Sequence, residues 1–302
     1  MHDTRESSER MQPEIIFSDC IQSTIAVCSP LIEARTSDHW ENTMNTKPLL
    51  LASALLAATA LSATAASAAS LVGLVGKDTL VLLDPASGKT TATVKIDKPV
   101  WAIDVRPADG MLYGVTADNA VVTIDPKTGK TTEKSKLSES LKPGVTATID
   151  FNPAADRMRI MADDGTSLRV NVDDGKATVD GSHKYKAGDA NADKTPKIVA
   201  GAYTNSKNGP KPEKTELYNI DAATGSLVLQ APPNDGTLNT VGSIGMTPTG
   251  PVAFNIVAGE GKNDAWLAHG GKLYSVDMKS GAAKEAVKLD VSGDLTDIAW
   301  WE

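Results

Sequence analysis

The sequence predicts an all-β fold, a β-propeller of five blades whose ring is closed by pairing the C-terminal strand with the N-terminal strands. Three observations lead there. A strand-plus-turn unit recurs five times, a second strand–turn–strand unit precedes it, and no amphipathic helix separates them. Four-stranded antiparallel units repeating roughly every 40 to 50 residues are the mark of propeller blades.

The recurring unit is "LVLLDPASGK" (81–90), "VVTIDPKTGK" (121–130), "SLRVNVDDGK" (167–176), "ELYNIDAATG" (216–225) and "KLYSVDMKSG" (272–281). In each, an alternating apolar strand runs into a turn opened by Asp84, Asp125, Asn171, Asp221 or Asp277. Those side chains accept hydrogen bonds from backbone N–H groups two or three residues on. Pro85 and Pro126 preset the first turn dihedral, and Gly88, Gly129, Gly175, Gly225 and Gly281 supply a positive φ into the next strand.

The preceding unit is "WAIDVRPADGMLYGV" (101–115), which aligns with "ATIDFNPAADRMRIM" (147–161) and sets a repeat of roughly 46 residues. In the fourth blade "KIVAGAYTNS" is the innermost strand, and the next strand lies beyond the polar loop "KNGPKPEK". In the fifth, spacing favours "VAFNIV" over "SIGM" as innermost. Inner strands are thus expected near 103, 149, 201, 254 and 298, with six blades as the alternative count. The last, "TDIAWW", matches "WAIDV" and supplies the innermost strand that the start of the domain, "LVGLVGKDTLVLLDPASGK", lacks. Its pairing with those strands removes a free sheet edge, and Trp300 and Trp301, on opposite faces, are expected to be buried between blades.

Residues 44–70, "MNTKPLLLASALLAATALSATAASAAS", have a positive start, an apolar middle and an Ala66-Ser67-Ala68 ending. That is the pattern of a secretory signal peptide cleaved after Ala68. Residues 1–43 are expected to be a leader or an extension preceding a true start at Met44, residues 44–68 the signal, and 69–302 a single propeller domain without a membrane span. The expected address is the periplasm or the medium.

Both cysteines, Cys20 and Cys28, precede residue 69, so the domain has no disulfide, thiolate metal site or Cys nucleophile. The first 68 residues hold 4 of the 30 basic and 8 of the 38 acidic residues, which leaves the domain with a net charge of −4. Mild acidity without a basic stripe argues against nucleic acid as a partner.

"GDANA" (188–192), "AYTNS" (202–206) and "PPNDGTLNTVG" (232–242), with "DFNP" (150–153), "DRMRI" (156–160) and "LRVNVDDGKATVDG" (168–181), resemble a bacterial exported family known as a domain of unknown function, number 4394. Val172 stands where the family turn usually has proline. The resemblance implies an exported all-β domain and brings no activity, ligand or catalytic residue.

Catalytic signals are sparse. His183 and His269 are the only histidines of the domain and lie in different blades, with no nucleophile elbow and no H-E-x-x-H. Asp104 and Asp150 occupy equivalent inner-strand positions, with Asn255 as the third, and inner strands converge on the central channel. Such oxygens suit a hard cation such as Ca²⁺, or paired acid–base work on a sugar, or plain hydrogen bonding to backbone N–H groups of the next blade. Arg157, Arg159 and Arg169 on neighbouring strands suit either a carboxylate or phosphate ligand or internal pairing with Asp150 or Asp156. The long polar loops, Asn205 among them, suit ligand binding or the fixing of strand registry. The tryptophans, placed in strands, offer no evident sugar-stacking platform.

The expectation is therefore a non-enzymatic module with no required cofactor that binds a small molecule, glycan or protein. The alternatives are a cation-dependent lactonase- or glycosidase-like hydrolase at the channel, with Asp104 and Asp150 as metal ligands, and a purely structural envelope module.

Overall fold

A computed structural model describes residues 70–259 and 261–301; the leader and signal segments expected at 1–43 and 44–68 lie outside them. The first blade holds β1 (Ser70–Val75), β2 (Thr79–Leu83) and β3 (Thr90–Lys95). The second is β4 (Val100–Val105), β5 (Leu112–Thr116), β6 (Ala120–Ile124) and β7 (Thr131–Lys136). The third is β8 (Ala147–Asn152), β9 (Arg157–Ala162), β10 (Ser167–Val170) and β11 (Ala177–Val179). A two-residue strand β12 (Lys184–Tyr185) precedes the fourth blade of β13 (Ile198–Tyr203), β14 (Leu217–Asp221), β15 (Ser226–Gln230) and β16 (Thr237–Ser243). The fifth is β17 (Ala253–Ala258), β18 (Asn263–His269), β19 (Lys272–Val276) and β20 (Ala283–Lys288), and β21 (Leu295–Trp301) ends the chain. Among the described residues there is no α-helix, only a 3-10 turn at Pro233–Asp235.

Five antiparallel sheets result, and the first has the order β21-β1-β2-β3. Its C-terminal strand runs against β1 with Ser70 opposite Trp301 and Gly73 opposite Ile298. The innermost strands β21, β4, β8, β13 and β17 adjoin one another in that order and back to β21, which closes a five-bladed ring. The expected inner strands are thus the observed ones. Trp300 and Trp301 do face opposite ways, but both are half-buried. Trp300 stacks on Trp266 of the fifth blade at 6.0 Å, while Trp301 packs with the core of the second.

The repeated turns behave as their residues dictate. Asp125 accepts from Lys127 N at 2.8 Å and Thr128 Oγ1 at 2.8 Å; Asp84 accepts likewise from Ala86 N and Ser87 Oγ, and Asp277 from Lys279 N and Ser280 N. The glycine carries a second constraint. A Cβ at Gly129 would lie 1.8 Å from Lys95 O, and one at Gly175 1.8 Å from Lys136 O. In the four blades other than the fourth, the positive-φ glycine is therefore also the point where the blade docks against the outer strand of the one before it, as in the bonds Asp97 N→Gly129 O and Ser138 N→Gly175 O.

One repeat is displaced. In four blades the Asx turn joins the third and fourth strands, but Asp221 joins β14 to β15, the second and third. Consecutive turns of an antiparallel meander alternate ends, so this turn lies at the opposite end of its blade. The sequence interval from the inner strand is nearly conserved because the long 204–216 connection consumes the length of a missing strand. Residues 231–236 then make the connection from β15 to β16.

Candidate functional site

An inner strand pairs on one edge only, so N–H groups of its other edge face the channel and need acceptors. Three buried aspartates supply them. Asp297 of β21 accepts from Ile103 N at 3.0 Å, Asp104 of β4 from Phe151 N at 2.8 Å, and Asp150 of β8 from Tyr203 N at 2.9 Å. Each carboxylate thereby clips the next blade to its own. Asp297 also caps its own strand through Ile298 N.

The fourth blade has Ala202 at the clipping position, and there an asparagine pair substitutes. Asn263 Oδ1 accepts from Asn205 N at 2.7 Å, and Asn263 donates back to Asn205 Oδ1 at 3.0 Å. Asn255 reaches Asp104 Oδ1 at 3.4 Å. That contact crosses the channel, because the inner strands β17 and β4 flank β21 rather than each other.

The three acids have no cationic partner among these contacts. Burial pushes Asp104 up to about 7 against the hydrogen bonds that pull it down. Burial, with Asp104 nearby, also holds Asp150 and Asp297 well above the ordinary carboxylate range. Among the described residues no group of three or more His, Cys, Asp and Glu is placed to hold a metal ion. Asp104 and Asn255 do come together, and they line one recess with Ser206, Lys207, Asn208 and Trp300.

The arginines divide. Arg159 is 1% exposed and bonds Tyr203 Oη at 2.7 Å, Ser167 Oγ at 2.7 Å, Asn234 Oδ1 at 2.9 Å and Asp180 at 2.9 Å. Arg169 shares Asp180, and Arg157 lies exposed with a bond to Asp156 O. Arg159 and Arg169 therefore do pair internally, but with Asp180 rather than Asp150 or Asp156. The partner of Asp156 is Arg106, which grips it through both oxygens at 2.8 Å and also meets Asp109 and Asp173.

The two ends of the channel differ. At the end where inner strands finish, residues 206–212 cross from the fourth blade toward the second and third, and line cavities with Pro107 and Pro153. At the other end lies an open bowl of about 530 Å³, formed where all five inner strands begin. Trp101, Ala147, Val199, Val252 and Thr296 make its floor; Lys77, Thr146, Asp163 and Lys197 stand on its wall. Trp101 is half-buried against the core between the second and third blades.

The sequence pointed at the channel through Asp104, Asp150 and Asn255. It missed Asp297, whose "TDI" carries the same Asp–Ile adjacency one residue out of phase, and it missed the bowl, to whose floor each of the five blades contributes one residue. Trp101 was legible only as a strand residue.

No match was found among curated proteins. A crystal structure of a structural genomics protein of unknown function from Bacteroides thetaiotaomicron VPI-5482 is similar, at 17% identity and a TM-score of 0.45, over 66% of this chain and 53% of that one. This chain thus spans about half the length of that protein, and the likeness carries no functional argument. No helix among the described residues is long and apolar enough to cross a membrane. The profile of the family described as a domain of unknown function (DUF4394) matches residues 79–299. With that match covering most of the chain, and with the five-bladed ring built as described, the protein belongs to the DUF4394 family.

Proposed function

We propose that this chain is an exported, non-enzymatic binding module that holds a small polar molecule in the bowl where its inner strands begin. The observation that carries this reading is the bowl itself. It is a cavity of about 530 Å³ with a half-buried indole, built on the ends of five strands of a closed ring. Ligand sites favour concave, largely pre-formed places with a few convergent polar groups. The channel acids support the same reading from the other side. Each of Asp104, Asp150 and Asp297 already has an oxygen engaged with backbone of the next blade, which suits holding the ring rather than acid–base work. The export part rests on residues 44–68 and is checked by N-terminal sequencing of protein recovered from periplasm and medium, where a start at Ala69 is expected.

A ligand that binds only the folded state raises the unfolding midpoint. Thermal unfolding of the purified protein with sugars, organic acids, amino acids, Ca²⁺ and EDTA is therefore the test. At least one small molecule should raise the midpoint of the wild type and not that of Trp101→Ala. Turnover of a lactone or glycoside that disappears in Asp104→Asn would replace this reading with the hydrolase. No response to any small molecule would overturn it and direct the search to protein partners.

A further inference from the structure

We infer that the bowl takes a sugar acid, a ring bearing both hydroxyl groups and a carboxylate; the inference rests on the binding reading above. Its chemistry comes from five groups on the wall and floor. Lys77 stands at the turn between β1 and β2, and among the described residues no carboxylate pairs with its ammonium. Lys197 has only Asp163, at a loose 3.9 Å. The neighbouring lysines outside the cavity differ, since Lys95 meets Asp78 and Lys142 meets Asp164, each at 2.8 Å. The two bowl lysines thus leave positive charge in excess of the one wall acid, within a domain whose overall charge is negative.

That excess calls for an anion. A carboxylate at either ammonium makes a charge-assisted hydrogen bond, stronger than a neutral one. Trp101 adds a flat apolar surface on the floor, against which the C–H face of a ring can pack. Asp163 and Thr146 add what a plain carboxylate would not use. One Asp163 oxygen accepts Thr146 N at 3.1 Å, and the other faces Lys197 with lone pairs to spare for a ligand hydroxyl. The hydroxyl of Thr146, at the exposed wall, can donate or accept. A ligand that satisfies all five groups is anionic, cyclic and hydroxylated, and a cavity of about 530 Å³ has room for one or two hexose rings.

Three matched probes and three variants test this by calorimetry and thermal shift. Galacturonate carries all the features, galactose lacks the carboxylate, and cyclohexanecarboxylate lacks the hydroxyls. Galacturonate should bind, more weakly as salt is raised, and galactose should bind about tenfold or more weakly, as the loss of a charge-assisted contact implies. Replacing both cations, Lys77→Gln with Lys197→Gln, should abolish the preference for galacturonate over galactose while leaving the unfolding midpoint unchanged, both side chains being exposed. Trp101→Phe, which keeps an aromatic floor, should retain binding where Trp101→Ala loses it. Equal affinity for galactose and galacturonate, or a double lysine variant that binds galacturonate as the wild type does, overturns the inference and leaves the binding reading standing. Binding of cyclohexanecarboxylate as tight as that of galacturonate overturns the sugar part. Silence with all three probes, while another small molecule gives a shift that Trp101→Ala loses, overturns the ligand class alone.

Discussion

The junction between the first and second blades and the junction between the third and fourth hold the same ring together by different means. The first is apolar: Val72, Leu74, Leu80, Ile96, Val100, Ile103, Leu112, Val122 and Ala299 form one buried cluster. The second encloses Arg159, the Asp180 carboxylate, Tyr203, Asn219 and His183, with Asn234 bonded to Arg159 at its exposed rim and a small apolar cluster around Met161 and Leu238. It also carries an extra tie. Residues 181–191 leave the third blade and run along the outer edge of the fourth, where β12 adds a parallel strand to β16. Gly181 N, Lys184 N and Lys186 N donate to Asn234, Gly236 and Leu238, and Asp189 receives Thr240 N at 2.7 Å. An apolar junction tolerates sliding of its side chains, whereas a hydrogen-bonded one specifies a single register. Residues of "GDANA", "AYTNS", "PPNDGTLNTVG" and "DRMRI" meet at or beside this junction through Asp189, Tyr203, Asn234 and Arg159, an architectural role.

The comparison breaks most readily at Arg159. Arg159→Met leaves the buried Asp180 with only the partly exposed Arg169 and removes partners from Tyr203, Ser167 and Asn234, so a loss of about 3–5 kcal/mol is expected in urea unfolding. Adding Asp180→Leu should recover a good part of it, because a buried pair replaced as a whole costs less than one broken in half. If the double variant is no better than the sum of the singles, the junction is held by packing and the contrast drawn here is wrong.

Next in size is Leu80→Ala in the apolar junction. A buried leucine cut to alanine loses transfer energy and leaves a cavity, about 3 kcal/mol, and no partner substitution in the second blade should rescue it except one that refills the space.

The pH dependence sets the axis against the polar junction. Asp104 is raised from 3.8 to about 7, so the folded state holds a proton that the unfolded state has released. Its contribution is present at low pH and is lost as pH rises from about 4 through about 7. Asp150 and Asp297 are raised as well and act in the same direction. His183 works the other way. Burial, with Arg159 nearby, lowers it from 6.5 to about 4, so the unfolded state binds the extra proton and stability rises as pH climbs from about 4 to about 6.5. The Asp104 and His183 effects are each on the order of a few kcal/mol across their windows. Three acids against one imidazole should give a net fall in stability with rising pH. Asp104→Asn should flatten that fall, and His183→Gln should steepen it. An unchanged slope in Asp104→Asn, measured by urea midpoints across this range, would mean that the channel acid is ionised throughout. The turn aspartates, lowered by their local hydrogen bonds, act only at more acid pH and leave this window clear.

The smallest expected effect is at the surface. Lys272 pairs with Glu285 at 2.6 Å between neighbouring strands of the fifth blade, both side chains open to solvent. Lys272→Ala should leave the unfolding midpoint within error, since exposed pairs contribute little. A large loss there would show that outer strands share the cooperativity of the junctions.

The sequence by itself determined the local chemistry: strand alternation, the Asx–glycine turns, the five inner strands, and the closure of the ring through "TDIAWW". All but the closure are short-range matters, in which a residue and its neighbours within a turn settle the backbone; the closure was legible because "TDIAWW" repeats the pattern of another inner strand, "WAIDV". Tertiary structure decided which repeat is displaced, because a long loop and a missing strand occupy the same sequence interval around residues 204–216. It also decided what Asp104, Asp150 and Asp297 bind, since their acceptor role depends on which N–H of another blade arrives within 3.0 Å. The partner of Arg159 was hidden for the same reason: Asp180 lies beyond the neighbouring strand β10, and Asn234 comes from another blade. The bowl was the least legible feature of all. Its residues lie as far apart in sequence as Lys77 and Thr296, and only closure of the ring brings the beginnings of five strands to one place.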